Sequence, residues 1–161
     1  MVVGVAEREI GATFVQSLRD GGVSRALIVC GAEGLDEISC AGKTWVWELR
    51  DGEITEKTLH PGMFGLPEHP LSVVASGTPA ENAETLRVLL TSGGAIPDSL
   101  TGVLHFVMMN AAALLVVAGL AEDYKRGAEM AMASITSGKA WEALAIFRES
   151  GKIAALKSSS P

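Results

Sequence analysis

Val29-Cys30-Gly31-Ala32-Glu33-Gly34-Leu35-Asp36-Glu37-Ile38-Ser39 is an apolar run that empties through two glycines into adjacent carboxylates. The carboxyl end of a strand in a parallel α/β sheet presents this order of residues. Ligands of such sheets collect beyond the carboxyl ends of the strands, and glycine lets the backbone turn where a phosphate or metal must come close. An Asp-Glu pair suits Mg²⁺, a hard cation that takes oxygen ligands and shares its sphere with substrate phosphates. The same residues admit a plainer reading, in which Asp36 caps the helix or turn that follows and Glu37 is simply solvated.

Outward from this segment the sequence spells a strand-helix-strand unit. Val2 to Val5 is a short β-branched strand, and Ala26 to Cys30 is a second, wholly apolar one. Between them Ile10, Phe14 and Leu18 recur at fourfold spacing and predict the buried face of a helix that Gly21-Gly22 ends. Strands joined by such a crossover are parallel. Trp45, Val46, Trp47 and Leu49, then Asp51-Gly52, then Ile54 and Thr55 predict an antiparallel hairpin around an Asp-Gly turn. Pro61, Pro67 and Pro70, with Gly62 and Gly65 between them, predict an ordered loop without regular structure from His60 to Ser72.

Helices fill the remainder. Thr78-Pro79 with Glu81 reads as a capping box with proline at the first helical position, and Ala83, Leu86 and Leu90 mark the apolar face of that helix. Ser92, Gly93, Gly94 and Pro97 break the chain. Thr101 to Ala121 then carries no charged residue and would span about 30 Å as a helix, which is membrane length. Its His105 and Asn110, its many alanines and its lack of flanking aromatic or one-sided basic belts make a buried core helix the better reading. His105 and Asn110 then satisfy buried polar groups, because an unpaired one costs about 1–3 kcal/mol. Two amphipathic helices follow, marked by Tyr124, Ala128, Ala131 and Ile135 and by Trp141, Leu144 and Phe147, with Gly138 between them. Lys157 to Pro161 read as a frayed end.

Two parallel strands do not make a stable sheet, and purely parallel sheets are buried on both faces. The first strand therefore needs neighbours from another segment or another chain, which predicts that residues 1–161 are one incomplete domain, the second half of a larger α/β domain. The alternative is a compact α+β fold in which the hairpin joins the parallel pair and closes the sheet. A net charge of -6 and a pI near 5.0, with no cluster of Lys and Arg, argue against a nucleic-acid face. Cys30 and Cys40 have neither metal spacing nor a second pair and read as reduced thiols of an intracellular protein. No basic segment followed by an apolar core opens the chain, so the expectation is a cytoplasmic protein with neither nucleic acid nor a membrane as partner.

Taken together, these segments resemble the C-terminal half of the anthranilate phosphoribosyltransferases, the fungal ones in particular. The resemblance runs through Val3-Gly4-Val5, Arg25-Ala26-Leu27-Ile28-Val29, Gly31 to Ser39, the Asp51-Gly52 hairpin, Phe64-Gly65-Leu66 and Gly77-Thr78-Pro79-Ala80-Glu81-Asn82-Ala83. It continues through Asn110-Ala111-Ala112-Ala113-Leu114, Val117-Ala118-Gly119-Leu120 and Ser137-Gly138-Lys139-Ala140. These motifs cover nearly the whole chain in family order.

The resemblance implies a nucleoside phosphorylase/phosphoribosyltransferase-type α/β domain. It also implies an enzyme of tryptophan biosynthesis that joins the nitrogen of anthranilate to the ribose carbon of phosphoribosyl pyrophosphate, releasing pyrophosphate with help from Mg²⁺. The metal-binding role of the family's Asp-Glu carries over to Asp36 and Glu37, and the complete enzyme is expected to be a homodimer. The family's Gly-Thr-Gly-Gly-Asp phosphate loop, its Lys-His-Gly segment, its anthranilate-binding arginine and its N-terminal helical region would precede Met1, so no catalytic residue is assigned within the chain and the chain is expected to be inactive alone. Cys30 stands where many bacterial members have histidine. Ser76 stands where glycine is usual, in a turn where a positive φ would disfavour serine. A different class of function is a non-catalytic fragment or a module that pairs its open strand with a partner. A nucleoside phosphorylase relative is a third, against which the Gly34-Leu35-Asp36-Glu37 segment and the lack of a pyrimidine-site signature count.

Overall fold

β1 (Val2–Gly4), α1 (Arg8–Asp20) and β2 (Arg25–Gly31) form the expected strand-helix-strand unit, with β1 and β2 parallel and Gly4 opposite Val29. The computed structural model describes residues 1–158, in two compact units, one of Met1–Ala75 with Thr101–Ala131 and one of Ser76–Leu100 with the residues from Met132 onward.

In the first unit the hairpin joins the parallel pair. β3 (Thr44–Arg50) runs antiparallel to β2, and β4 (Glu53–Leu59) antiparallel to β3, giving one four-stranded sheet in the order β1-β2-β3-β4. Asp51 (φ 51°) and Gly52 (φ 89°) both adopt the left-handed conformation that a two-residue hairpin turn demands, as the Asp-Gly pair predicted. β2 thus gains a second neighbour from within the chain, while the outer edge of β1 carries no strand among the described residues. Every β2 residue after Arg25 is buried. Ala26, Ile28 and Cys30 face α1, together with Val15, Trp47 and Leu49, and the alternate Leu27 and Val29 are equally buried on the other side, where α3 (Thr101–Val117) packs on β1 and β2. Burial on both faces explains why this strand reads as an unbroken apolar run.

The buried face of α1 differs from the one its spacing predicted. Gly11 and Val15 are buried and Leu18 packs partly buried against the same core, as its spacing predicted, whereas Ile10 is 44% and Phe14 39% exposed. A side chain at Gly11 would come within 2.3 Å of the Trp47 ring, so the indole occupies the space that a larger residue would claim, and the helix turns its glycine inward. Among the described residues Asp98–Val117 is the one helix long and apolar enough, by length and composition, to cross a membrane. It buries Leu104, Met108, Met109, Ala112 and Ala113 while Leu114 is exposed, the one-sided pattern of a helix packed on a sheet. The helix stops at Val117 rather than Ala121, because Gly119 (φ 74°) takes the left-handed cap and Leu120 N–H returns to the Leu115 carbonyl. The proline-rich loop holds two short 3₁₀ turns, Pro61–Phe64 and Leu71–Val74, within otherwise irregular backbone.

The second unit contains α2 (Pro79–Thr91), the last turns of α4 (Tyr124–Thr136), and α5 (Lys139–Ser158), with α2 packed on α5. The capping box forms as predicted: Glu81 N–H donates to Thr78 Oγ1 and Thr78 N–H to Glu81 Oε2. Ser76 does not take a positive φ, so serine is tolerated there. Burial in α2 falls on Leu89 and Leu90, not on Ala83 and Leu86, which are exposed. In α4 Tyr124, Ala128, Ala131 and Ile135 are all buried as their spacing predicted. In α5 Trp141 and Leu144 are half-buried and Phe147 is 77% exposed. The helix continues through Lys157 and Ser158; the remainder of the segment read as frayed lies outside the described residues.

Candidate functional site

Beyond Gly31 the chain turns tightly and crosses the carboxyl end of the parallel pair. Gly34 N–H donates to the Gly31 carbonyl at 2.9 Å, Gly34 has φ 81°, and Gly31 N–H closes on the Leu35 carbonyl at 2.7 Å. The segment then lies on the end of β1. A Cβ at Gly4 would sit 1.5 Å from the Asp36 carbonyl oxygen and 2.3 Å from its carbon, so glycine is what allows the acidic loop to rest on that strand. Asp36 and Glu37 are therefore placed beyond the carboxyl ends of β1 and β2, where ligands of α/β sheets bind.

Downstream the loop is fastened at each residue. Asn110, from α3, accepts from Ile38 N–H at 3.0 Å and donates to the Ile38 carbonyl at 3.3 Å and to Phe106 O at 3.1 Å. Ser39 N–H donates to Thr44 Oγ1 at 2.9 Å, and the Ser39 hydroxyl donates to Glu33 Oε1 in a short bond. His69 N–H reaches the Cys40 carbonyl at 2.8 Å, and the His69 ring nitrogen Nε2 lies 2.8 Å from His105 Nδ1.

Asp36 and Glu37 themselves are exposed, and among the described residues neither side chain accepts a hydrogen bond or enters an ion pair. No helix follows Asp36 and, among the described residues, no backbone N–H of the following turn donates to its carboxylate, so it caps neither helix nor turn, while Glu37 is solvent-exposed as the plainer reading also has it. Desolvation, and after it the Asp36 charge, pushes the Glu37 carboxyl above the ordinary glutamate value. Two neighbouring carboxylates that no group of the protein neutralises, held by a fixed backbone, are oxygen donors fit for a hard divalent cation. A third metal-binding side chain is absent among the described residues, so the pair fits Mg²⁺ as part of a sphere completed by water or phosphate oxygens.

Cations gather at the same end of the sheet on the α1 side. Arg8 lies 3.6 Å and Lys43 3.8 Å from the centre of the Trp45 ring, and Trp45 pairs with Cys30 at the end of β2. Burial raises the thiols of Cys30 and Cys40, both free, so neither is an activated nucleophile. A cavity of about 750 Å³ bounded by Glu48, Arg50, Lys57 and Tyr124 lies at the opposite end of the sheet, where Arg50 pairs with Arg25. Its Lys57 is already paired with Glu48 at 2.6 Å, and it is remote from the acidic loop, so the loop is the better candidate site.

Spacing located the carboxylates but not what holds them. Gly4, Asn110 and His69 are 32, 72 and 29 residues from the loop positions they touch, beyond the reach of any local pattern. Asn110 and His105 did give a signal as polar residues inside an apolar helix, and each has a partner.

Residues 1–141 match the family described as glycosyl transferase family, a/b domain. The anthranilate phosphoribosyltransferase of Schizosaccharomyces pombe is 45% identical over 146 residues, which cover 91% of this chain and 40% of that protein. The Deinococcus radiodurans enzyme of the same name is 39% identical over 144 residues, covering 89% and 41%. A solved structure of anthranilate phosphoribosyltransferase from Saccharomyces cerevisiae in complex with PRPP and Mg superposes with a TM-score of 0.80 at 34% identity, covering 89% of this chain and 40% of that one. The chain thus spans about 40% of the length of the relatives it matches.

Proposed function

Since the chain belongs to the glycosyl transferase family, a/b domain, we propose that it forms the acidic, metal-holding wall of an anthranilate phosphoribosyltransferase. The observation that carries this reading is the placement of Asp36 and Glu37, without partners of their own, across the carboxyl ends of β1 and β2. In the reaction proposed, the amine of anthranilate attacks the ribose carbon of phosphoribosyl pyrophosphate, the bond to the pyrophosphate oxygen breaks, and the amine loses a proton. Bound Mg²⁺ supplies positive charge against the negative charge that accumulates on the departing pyrophosphate. Asp36 and Glu37 hold that ion and so orient the donor, and neither needs to accept a proton. The Gly-Thr-Gly-Gly-Asp phosphate loop occurs nowhere in the 161 residues, so donor phosphate contacts come in this reading from residues supplied with the chain, and the 161 residues alone do not turn over. The complete enzyme is read as a cytoplasmic homodimer.

The test is a chimera in which the preceding 60% of the Schizosaccharomyces pombe relative, roughly the part this chain does not span, is joined to these residues. Loss of anthranilate fluorescence in the presence of phosphoribosyl pyrophosphate and Mg²⁺ is the expected result, with Asp36→Asn raising the Mg²⁺ concentration needed for half-maximal rate by about tenfold or more. A folded chimera without turnover would overturn the assignment of activity. Unchanged Mg²⁺ dependence in Asp36→Asn would overturn the assignment of the metal site.

A further inference from the structure

Glu37 is exposed, yet the backbone on both sides of it is fixed. A peptide unit is a rigid plane that runs from one Cα to the next. The plane between Asp36 and Glu37 contains the Asp36 carbonyl, which rests on Gly4. The plane between Glu37 and Ile38 contains the Ile38 N–H, which Asn110 Oδ1 accepts at 3.0 Å. Holding both planes fixes the two torsions of Glu37 and thereby the direction in which its side chain leaves the backbone.

The Asn110 amide commits both of its N–H donors, and one acceptor position of its oxygen, to this task and to its own helix. Its oxygen takes the Ile38 N–H, while its nitrogen donates to the Ile38 carbonyl at 3.3 Å and to Phe106 O one turn back on α3. The bond to Phe106 orients the amide, so that it presents one acceptor and one donor to a single residue of the loop. A helix with no charged side chain, packed on β1 and β2, thus carries the polar side chain that, among the described residues, bonds the Ile38 peptide next to Glu37.

From this geometry we infer that Asn110 is a positioning residue for the metal pair: through the Ile38 peptide it holds Glu37 beside Asp36 in the arrangement that receives a divalent cation. The inference rests on the reading of Asp36 and Glu37 as metal ligands. The pair is repulsive without a cation, so a loop free to move would let the carboxylates separate, and the cation would then have to reassemble its own site. A mount on a packed helix keeps them together beforehand.

The experiment titrates Mn²⁺ into the isotope-labelled 161-residue chain and follows paramagnetic broadening of backbone amide signals, a readout that registers weak binding and needs no turnover. The expected result is broadening centred on Asp36, Glu37 and Ile38, lost in Asp36→Asn, and requiring about tenfold more Mn²⁺ in Asn110→Ala at a temperature where the variant is folded. Asn110→Ser, whose hydroxyl can reach Phe106 O but not Ile38, should behave like Asn110→Ala, and it decides the matter if the alanine variant does not fold. Wild-type Mn²⁺ dependence in the folded Asn110 variants would overturn the inference and leave the metal reading standing, because an anchor that served stability alone would alter melting and not the titration. Absence of local broadening in the unaltered chain, or its persistence in Asp36→Asn, would overturn the metal reading and this inference with it.

Discussion

Replacing Gly4 with alanine tests whether the acidic loop is held by contact with the end of β1. The added Cβ would lie 1.5 Å from the Asp36 carbonyl oxygen and 3.0 Å from its Cα, and these are backbone atoms that cannot swing aside as a side chain can. To reach ordinary van der Waals separation the loop must retreat by about 2 Å. It is tied by the Gly31–Leu35 bond on one side and the Asn110 clamp on the other, so retreat strains or breaks them. Overpacking costs about 1–3 kcal/mol and each lost hydrogen bond about 1 kcal/mol, which gives a destabilisation of about 2–4 kcal/mol. For a chain of this length that lowers the melting temperature by about 5–15 °C. Thermal unfolding followed by circular dichroism measures it. Gly62→Ala is the control, since a Cβ there meets nothing within 4 Å and should change stability by less than about 0.5 kcal/mol. A Gly4→Ala protein that melts within about 2 °C of the parent would refute the claim that the loop is seated on this glycine.

Two further predictions concern protonation. Because the folded chain raises the Glu37 carboxyl, the native state binds the proton more tightly than the unfolded chain does, and ionising Glu37 costs stability as pH rises from the ordinary glutamate value through the raised native one. Glu37→Gln should therefore melt higher than the parent at neutral pH, with the difference shrinking toward about pH 4; a pH-independent difference would contradict the assigned cause. For His105, burial and then His69 lower the native value, so the neutral ring's contribution is complete above the ordinary histidine range and is lost as pH falls through the window below it. An NMR titration of His105 should give a midpoint below about 6.5, since the direct ring contact at 2.8 Å requires one nitrogen to donate and the other to accept. A midpoint at or above the ordinary value would refute that contact.

Local chemistry alone was enough to read the strand-helix-strand unit, the Asp-Gly hairpin, the Thr78 capping box and the acidic strand end, because each depends on residues within a few positions of one another. Which face of a helix is buried was legible only where one alternative existed. In α4 the periodic residues are the buried ones, but in α1 the Trp47 ring, brought in from β3, took the space above Gly11 and left Ile10 and Phe14 outside. The attachment of the hairpin to β2 was likewise undecided in sequence, since strand pairing joins residues whose separation leaves no periodic trace. The site divides in the same way. Side-chain type and spacing singled out Asp36 and Glu37 as the candidate oxygen donors; only the tertiary structure decided that, among the described residues, they have no competing partners, that Gly4 lets the loop rest on β1, and that Asn110 reaches it from α3. The physical reason is that donor chemistry belongs to single residues, whereas their direction in space is set by packing and hydrogen bonds between segments far apart in the chain.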